Sequence, residues 1–255
     1  MNWWLKGPPP TMREFIALYQ ALDQTTSTRA KVSALEAYFR SAAPADLAWA
    51  VYFLSGRRLK RLVGAAALRS WLAEESELPA WLVEETYANV GDLAETIALL
   101  LADRVVANAL AKQTLAEFVE DILLPLSGAD EAVKRAVVTD FWQTLPYDAC
   151  YVVNKLLTGA LRVGVSQTLV ATALAAVAAL PRPVILHRLM GHWTADAEFA
   201  EQLLAPDDGK TDLSKPYPFY LASPLEARPG ELAAADVTAL LGAREAWQAE
   251  WKWDG

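Results

Sequence analysis

Cysteine and histidine are nearly missing from these 255 residues, which hold one cysteine, Cys150, and two histidines, His187 and His192. A single thiol excludes an intramolecular disulfide and suits a reducing compartment. Its apolar surroundings mark it as a buried structural thiol. The histidines stand five apart in HRLMGHW with no cysteine partner, so no zinc site is expected. Long apolar runs are missing too. The most apolar stretch, residues 165–180, contains Ser, Gln and Thr and closes at Pro181, short of the ~20 residues a membrane span needs. The opening MNWWLKGPPP lacks the charged start and apolar middle of a secretory signal. No membrane partner is expected, and a cytoplasmic location is. Glycine is scarce at 12, whereas hydrophobic residues make up 54% with Ala and Leu conspicuous, so the first expectation is a helix-rich globular protein.

The net charge of −8 is unevenly placed. Residues 74–95 carry seven acids and no base; residues 57–69 carry five bases and no acid. Residues 149–195 again hold no acid, only Lys155, Arg162, Arg182, Arg188 and the two histidines. A chain can be acidic in total and still present one face to a polyanion.

The first two hundred residues read as consecutive helices. A helix starting near Met12 places Phe15, Leu18, Tyr19 and Leu22 at helical spacing, after an irregular extension over residues 1–11. Ser27 or Thr28 caps the next, which carries Val32, Leu35, Tyr38 and Phe39; Pro44 and Asp46 open a third that ends at Ser55-Gly56. The same grammar repeats through AAALRSWLAEES, LPAWLVEETYANVG, GDLAETIALLLADRVVANAL, TLAEFVEDILLPL, DEAVKRAVVTDFWQTL, PYDACYVVNKLLTG and SQTLVATALAAVAAL. It changes at residues 205–230, where prolines, glycines and small polar residues cluster as a linker. Within it YPFYLAS alternates aromatic and small residues as a strand would, and after a short helix, AADVTALLG, the stretch AWQAEWKWDG alternates with period two. The expected domains are therefore residues 12–210, all-α, and residues 211–255, the beginning of a different domain.

Two stretches carry chemistry. If AEWKWD is a strand, Glu250, Lys252 and Asp254 share one face and Trp251 and Trp253 the other. Such a lysine, stripped of its proton by desolvation or nearby cations, is a nucleophile; left solvated between two carboxylates, it is a surface residue. In TGALRVGVS a helix ends at Thr158-Gly159, Arg162 stands between Gly159 and Gly164, and a helix restarts at Ser166. The glycines let backbone N–H groups approach a phosphate, the new helix favours an anion, and Arg162 supplies a fork of donors. The competing reading is a helix corner with Arg162 in solvent. GRRLKRL adds Arg57, Arg58, Lys60 and Arg61, which cannot all face one way on a helix. Two of them are expected to contact phosphate and the rest to be solvated. No metal site is expected among these residues.

TGALRVGVS with its following apolar helix resembles the signature loop of the helical DNA-binding domain of ATP-dependent DNA ligases. AEWKWDG resembles the first motif of the ligase and mRNA-capping nucleotidyltransferases. The order of the two motifs, with a proline-rich junction between them, matches the ligases. ALDQTTSTRAKVSALEAYF, FLSGRRLKRL and VGDLAETIALLL are further similar to a bacterial group of them. The resemblance implies an all-α DNA-binding domain followed by the truncated beginning of an α+β adenylation domain. It implies that Lys252 attacks the α-phosphate of ATP, with Mg²⁺, and carries AMP to the 5′-phosphate of a nick, where the 3′-hydroxyl displaces it. Glu250 would receive the adenine amino group and Asp254 complete the motif. Thr158, Gly159, Arg162 and Gly164 with Arg57, Arg58, Lys60 and Arg61 would hold nicked duplex DNA without regard to sequence, the protein acting as a nucleoid-associated monomer.

The later motifs of that family's adenylation domain and its OB-fold domain are not among the 255 residues. The expectation is therefore that these residues alone neither adenylate Lys252 nor seal nicks, and an AMP adduct on Lys252 after incubation with ATP and Mg²⁺ would overturn it. Two other readings remain at the level of sequence: a non-enzymatic helical DNA-binding module that has lost its catalytic domain, and a helical scaffold with no nucleic-acid role.

Overall fold

A computed structural model of the chain describes residues 10–102, 110, 112–207 and 243. The chain divides into two compact units, Met1–Tyr217 and Pro218–Gly255, and the architecture below is that of the first. The expected strands at YPFYLAS and AEWKWD, the helix between them, and most of the N-terminal extension lie outside the described residues. Among the described residues there is no strand, and no single helix is long and apolar enough to cross a membrane.

Local chemistry sets where the helices begin and end. Thr11 and Glu14 form a capping box for α1 (Met12–Asp23). Ser27 accepts the Ala30 N–H to start α2 (Thr28–Ser41), and Pro44 occupies the first turn of α3 (Pro44–Leu54). After an irregular stretch come α4 (Ala65–Ser76), α5 (Ala80–Val90) and α6 (Leu93–Leu100). Gly91, left-handed at φ 77°, ends α5, and Asp92 caps α6 by accepting the Glu95 N–H. A second capping box, Thr114 with Glu117, opens α7 (Leu115–Glu117), which runs through a π-helical turn (Phe118–Leu123) into α8 (Leu124–Leu126). Pro125 has no N–H for the carbonyl four residues back, and the wider turn before it relieves the ring's clash. Then follow α9 (Glu131–Thr144), α10 (Tyr147–Thr158), α11 (Gln167–Ala178), α12 (Arg182–Arg188) and α13 (Ala197–Leu204).

Packing follows the apolar stripes. Helix α2 lies along α11, α6 along α10, and α3 along α13, while α1 packs on α2. Phe15, Leu22, Leu35, Phe39, Leu47 and Leu174 are fully buried in this core, each removal from water contributing roughly 1.5–3 kcal/mol. α3 is the most enclosed helix, burying residues from Asp46 to Leu54 almost without a break. Its carboxylate at Asp46 accepts the Ala116 N–H at 2.8 Å and so holds the start of α7 to α3. Burial pushes the Asp46 carboxyl above its ordinary value, with the Ala116 bond acting the other way. Cys150 is buried in α10 as expected, its thiol pushed up to about 12 by loss of solvent.

Candidate nucleic-acid interface

Two stretches a hundred residues apart in sequence meet at the C-terminal end of α10. That helix closes in a Schellman turn: Ala160 N–H donates to the Lys155 carbonyl at 2.9 Å and Gly159 N–H to the Leu156 carbonyl at 3.2 Å, with Gly159 at φ 67°. The chain then crosses residues 160–165 without regular structure and re-enters helix at α11, where Ser166 accepts the Leu169 N–H at 3.3 Å. This is the helix–loop–helix corner expected from TGALRVGVS. Along it the side chains alternate: Leu161 half-buried, Arg162 exposed, Val163 buried, Gly164 exposed.

The basic stretch is an irregular segment after α3, so no helix face decides which of its cations point outward. Gly56, at φ 90°, turns the chain out of α3, and residues 57–61 run without helical structure. The segment is pinned along its length. Arg57 N–H reaches the Tyr52 carbonyl at 3.1 Å, Tyr52 Oη donates to the Arg58 carbonyl at 3.1 Å, and Leu62 N–H donates to the Leu157 carbonyl at 3.2 Å. Leu59 packs toward the core between exposed Arg58 and exposed Lys60, so alternation rather than helical turn decides which side chains face out.

Arg57 behaves differently from its neighbours. Its Nη2 donates to the Gly191 carbonyl at 2.7 Å and its guanidinium lies 4.2 Å from the centre of the Trp193 ring. Trp193 in turn stacks on Phe199 at 4.1 Å and meets Tyr52 edge-on. Burial lowers the Arg57 pKa from its ordinary value. Arg57 is thus a clamp joining the basic segment to the loop after α12. By contrast Arg58, Lys60, Arg61 and Arg162 are exposed, with no hydrogen-bond or ion-pair partner among the described residues.

Between the two stretches lies a cleft of about 210 Å³ lined by Arg57, Arg58, Lys155 and Arg162, with Phe53, Leu59, Leu156 and Leu161 as its apolar walls. Four cations and no carboxylate line it. Lys155 is itself paired with Asp92, the N-cap of α6, a bond that ties the end of α10 to the start of α6. Arg162 also borders a second recess of about 360 Å³ formed with Gly56 and Val163 to Val165, and so stands between two hollows. Thr158 gives its hydroxyl to the Asn154 carbonyl at 2.8 Å and lines a third hollow with Arg61 and Ala160. The surface is a band of free cations on fixed backbone, flanking left-handed glycines and the N-terminus of an apolar helix. A band of this kind suits a row of phosphates.

Residues 11–175 match the family described as DNA ligase N terminus. The chain belongs to this family. It is also similar to a DNA ligase of Cenarchaeum symbiosum (strain A), 27% identical over 178 residues, which cover 64% of this chain and 30% of that protein. The chain therefore spans less than a third of the relative's length.

Within this ligase domain, the site residues read from sequence divide three ways. Arg58, Arg162 and Gly159 come together at one cleft, with Lys60, Arg61, Thr158 and Gly164 on the flanking segments. Arg57 is at the cleft but committed inward. Lys252, Glu250 and Asp254 lie outside the described residues. His192 is exposed beside Gly191 and Trp193, the two residues that hold Arg57. Lys31 and Asp92 were not among the candidate residues, and Lys155 stood out only as a base in the acid-free stretch 149–195. Lys31 left a signal: it falls four and seven positions before Leu35 and Tyr38, on the stripe that faces inward. Among the described residues no group of three or more His, Cys, Asp or Glu is placed to hold a metal ion.

Proposed function

We propose that this chain is the N-terminal part of an ATP-dependent DNA ligase and that its helical domain grips duplex DNA through the phosphate backbone. Support comes above all from the cleft at the end of α10, where exposed Arg58 and Arg162 converge from separate stretches with no carboxylate among the lining residues. Cations on exposed segments contact phosphates without reading bases, so binding is indifferent to sequence and weakens steeply with salt. Arg57 and Lys155 hold the two segments rather than carry the contact. Arg58 and Arg162 contact phosphate, with Lys60 and Arg61 extending the band.

In this reading the duplex is nicked, and Lys252 is the nucleophile that takes AMP from ATP for transfer to the 5′-phosphate. Glu250 receives the adenine and Asp254 completes the motif. Family membership and the residues of AEWKWDG support that assignment.

The grip is tested by fluorescence anisotropy of a labelled nicked duplex titrated with the chain at several salt concentrations. Binding at low salt, with log Kd rising linearly in log salt and little change between unrelated sequences, is the expected result. No binding at low salt overturns the proposal and leaves a helical scaffold without a nucleic-acid role.

A further inference from the structure

Lys31 sits on α2 with 8% of its surface exposed, on the stripe otherwise taken by Leu35, Tyr38 and Phe39. Its Nζ donates to the Val163 carbonyl at 2.7 Å and to the Gly164 carbonyl at 3.0 Å. Among the described residues no carboxylate is paired with it, so two carbonyl dipoles alone offset its burial. Such an arrangement is costly unless its geometry is held in place.

Both acceptors belong to the two residues that follow Arg162. Gly164 is left-handed at φ 59°, and a Cβ added to it would stand 2.9 Å from Lys31 Nζ. The lysine therefore occupies the space a side chain at position 164 would need, while the backbone turn there is one that L side chains rarely adopt. With the Val163 side chain buried and both carbonyls drawn to α2, the loop presents Arg162 outward between two hollows and delivers the chain to Ser166, where α11 begins.

We infer that Lys31 is a positioning residue for the duplex grip: by holding the carbonyls of residues 163 and 164 it fixes Arg162 against a backbone phosphate, without touching DNA itself. This rests on the duplex-binding reading above. A charge that contacts DNA adds to affinity on its own account; one that acts through Arg162 does nothing once Arg162 is gone.

The experiment is a double-mutant cycle on the 255-residue chain, reading anisotropy of a labelled nicked duplex at one fixed low salt. Lys31→Met and Arg162→Ala are each expected to weaken binding roughly tenfold, the loss of one charge-assisted contact. The double variant is expected to bind no more weakly than either single one. Wild-type affinity in Lys31→Met, or losses that multiply in the double variant, overturns the inference. If Lys31→Met does not fold by circular dichroism, Lys31→Gln, which keeps an N–H donor but is too short to hold both carbonyls, replaces it in the cycle, and the same two outcomes decide. A wild-type chain that fails to bind overturns the duplex reading and this inference together. Normal wild-type binding with multiplying losses overturns this inference alone.

Discussion

A side chain at position 159 would put its Cβ 3.3 Å from the Leu59 carbonyl oxygen and 3.8 Å from Arg58 Cβ. Gly159 is thus where the Schellman turn of α10 and the basic segment touch, and its lack of a side chain lets two cationic stretches lie side by side. Gly159→Ala is expected to destabilise the fold by about 1–2 kcal/mol, from the left-handed φ and the crowded carbonyl together. Urea denaturation gives the first quantity. Duplex affinity measured on the folded variant is expected to fall as well, because the cleft is forced wider; unchanged affinity would separate the cleft from binding.

The pair between Asp92 and Lys155 fixes that same helix end from the other side. Asp92→Asn keeps an N-cap for α6 but leaves Lys155, which is only 9% exposed at its side chain, without its counter-charge. A loss of about 2 kcal/mol in unfolding free energy is expected, below the range for fully buried pairs because Asp92 is partly solvated. Lys155→Met is expected to lose less, since the carboxylate that remains can be hydrated. The reverse order in urea melts would mean that the bare Asp92 carboxylate, not the unpaired Lys155 ammonium, carries the larger cost.

Arg57 and Arg58 are adjacent and should behave as different kinds of residue. Arg57→Ala removes the bond to the Gly191 carbonyl and the contact with Trp193, and is expected to lower the melting temperature. Arg58→Ala is expected to leave stability within about 0.5 kcal/mol, as for an exposed side chain. Its effect should appear in binding, where the slope of log Kd against log salt falls by about 1. Equal thermal shifts for the two variants would contradict the inward and outward assignments.

Cys150 offers a check on the core. With its thiol pushed up to about 12 by burial, the thiolate is scarce at pH 8, about one part in ten thousand, and the sulfur is enclosed. Alkylation of the native protein at pH 8 is expected to be slow, and to become fast in denaturant. Rapid labelling without denaturant would show α10 to be opening readily.

How much of this was readable beforehand depended on the range of the interactions. Helix boundaries were legible because caps are local: Ser27, Pro44, Gly91, Gly159 and Ser166 act on backbone within one turn. The loop around Arg162 was legible for the same reason. What brings the site together was not. Lys31 reaches its carbonyls across more than 130 residues and Arg57 reaches Gly191 across a similar span, and no local pattern encodes either partner. The end of α3 at Ser55-Gly56 was legible, but which cations of the basic segment face out was not, because the packing of Leu59 and the bond from Arg57 to Gly191 set that. A lysine on an apolar stripe, as at position 31, was the one long-range clue left in the sequence.

In the proposed function, the cations converging at the end of α10 hold duplex DNA by its phosphates. Arg162→Ala tests it most directly, measured by anisotropy on two nicked duplexes of unrelated sequence across a range of salt. The expected result is a loss of about 1–3 kcal/mol, equal on both sequences, with a salt slope reduced by about 1. Wild-type affinity in this variant, or a loss confined to one sequence, would contradict it.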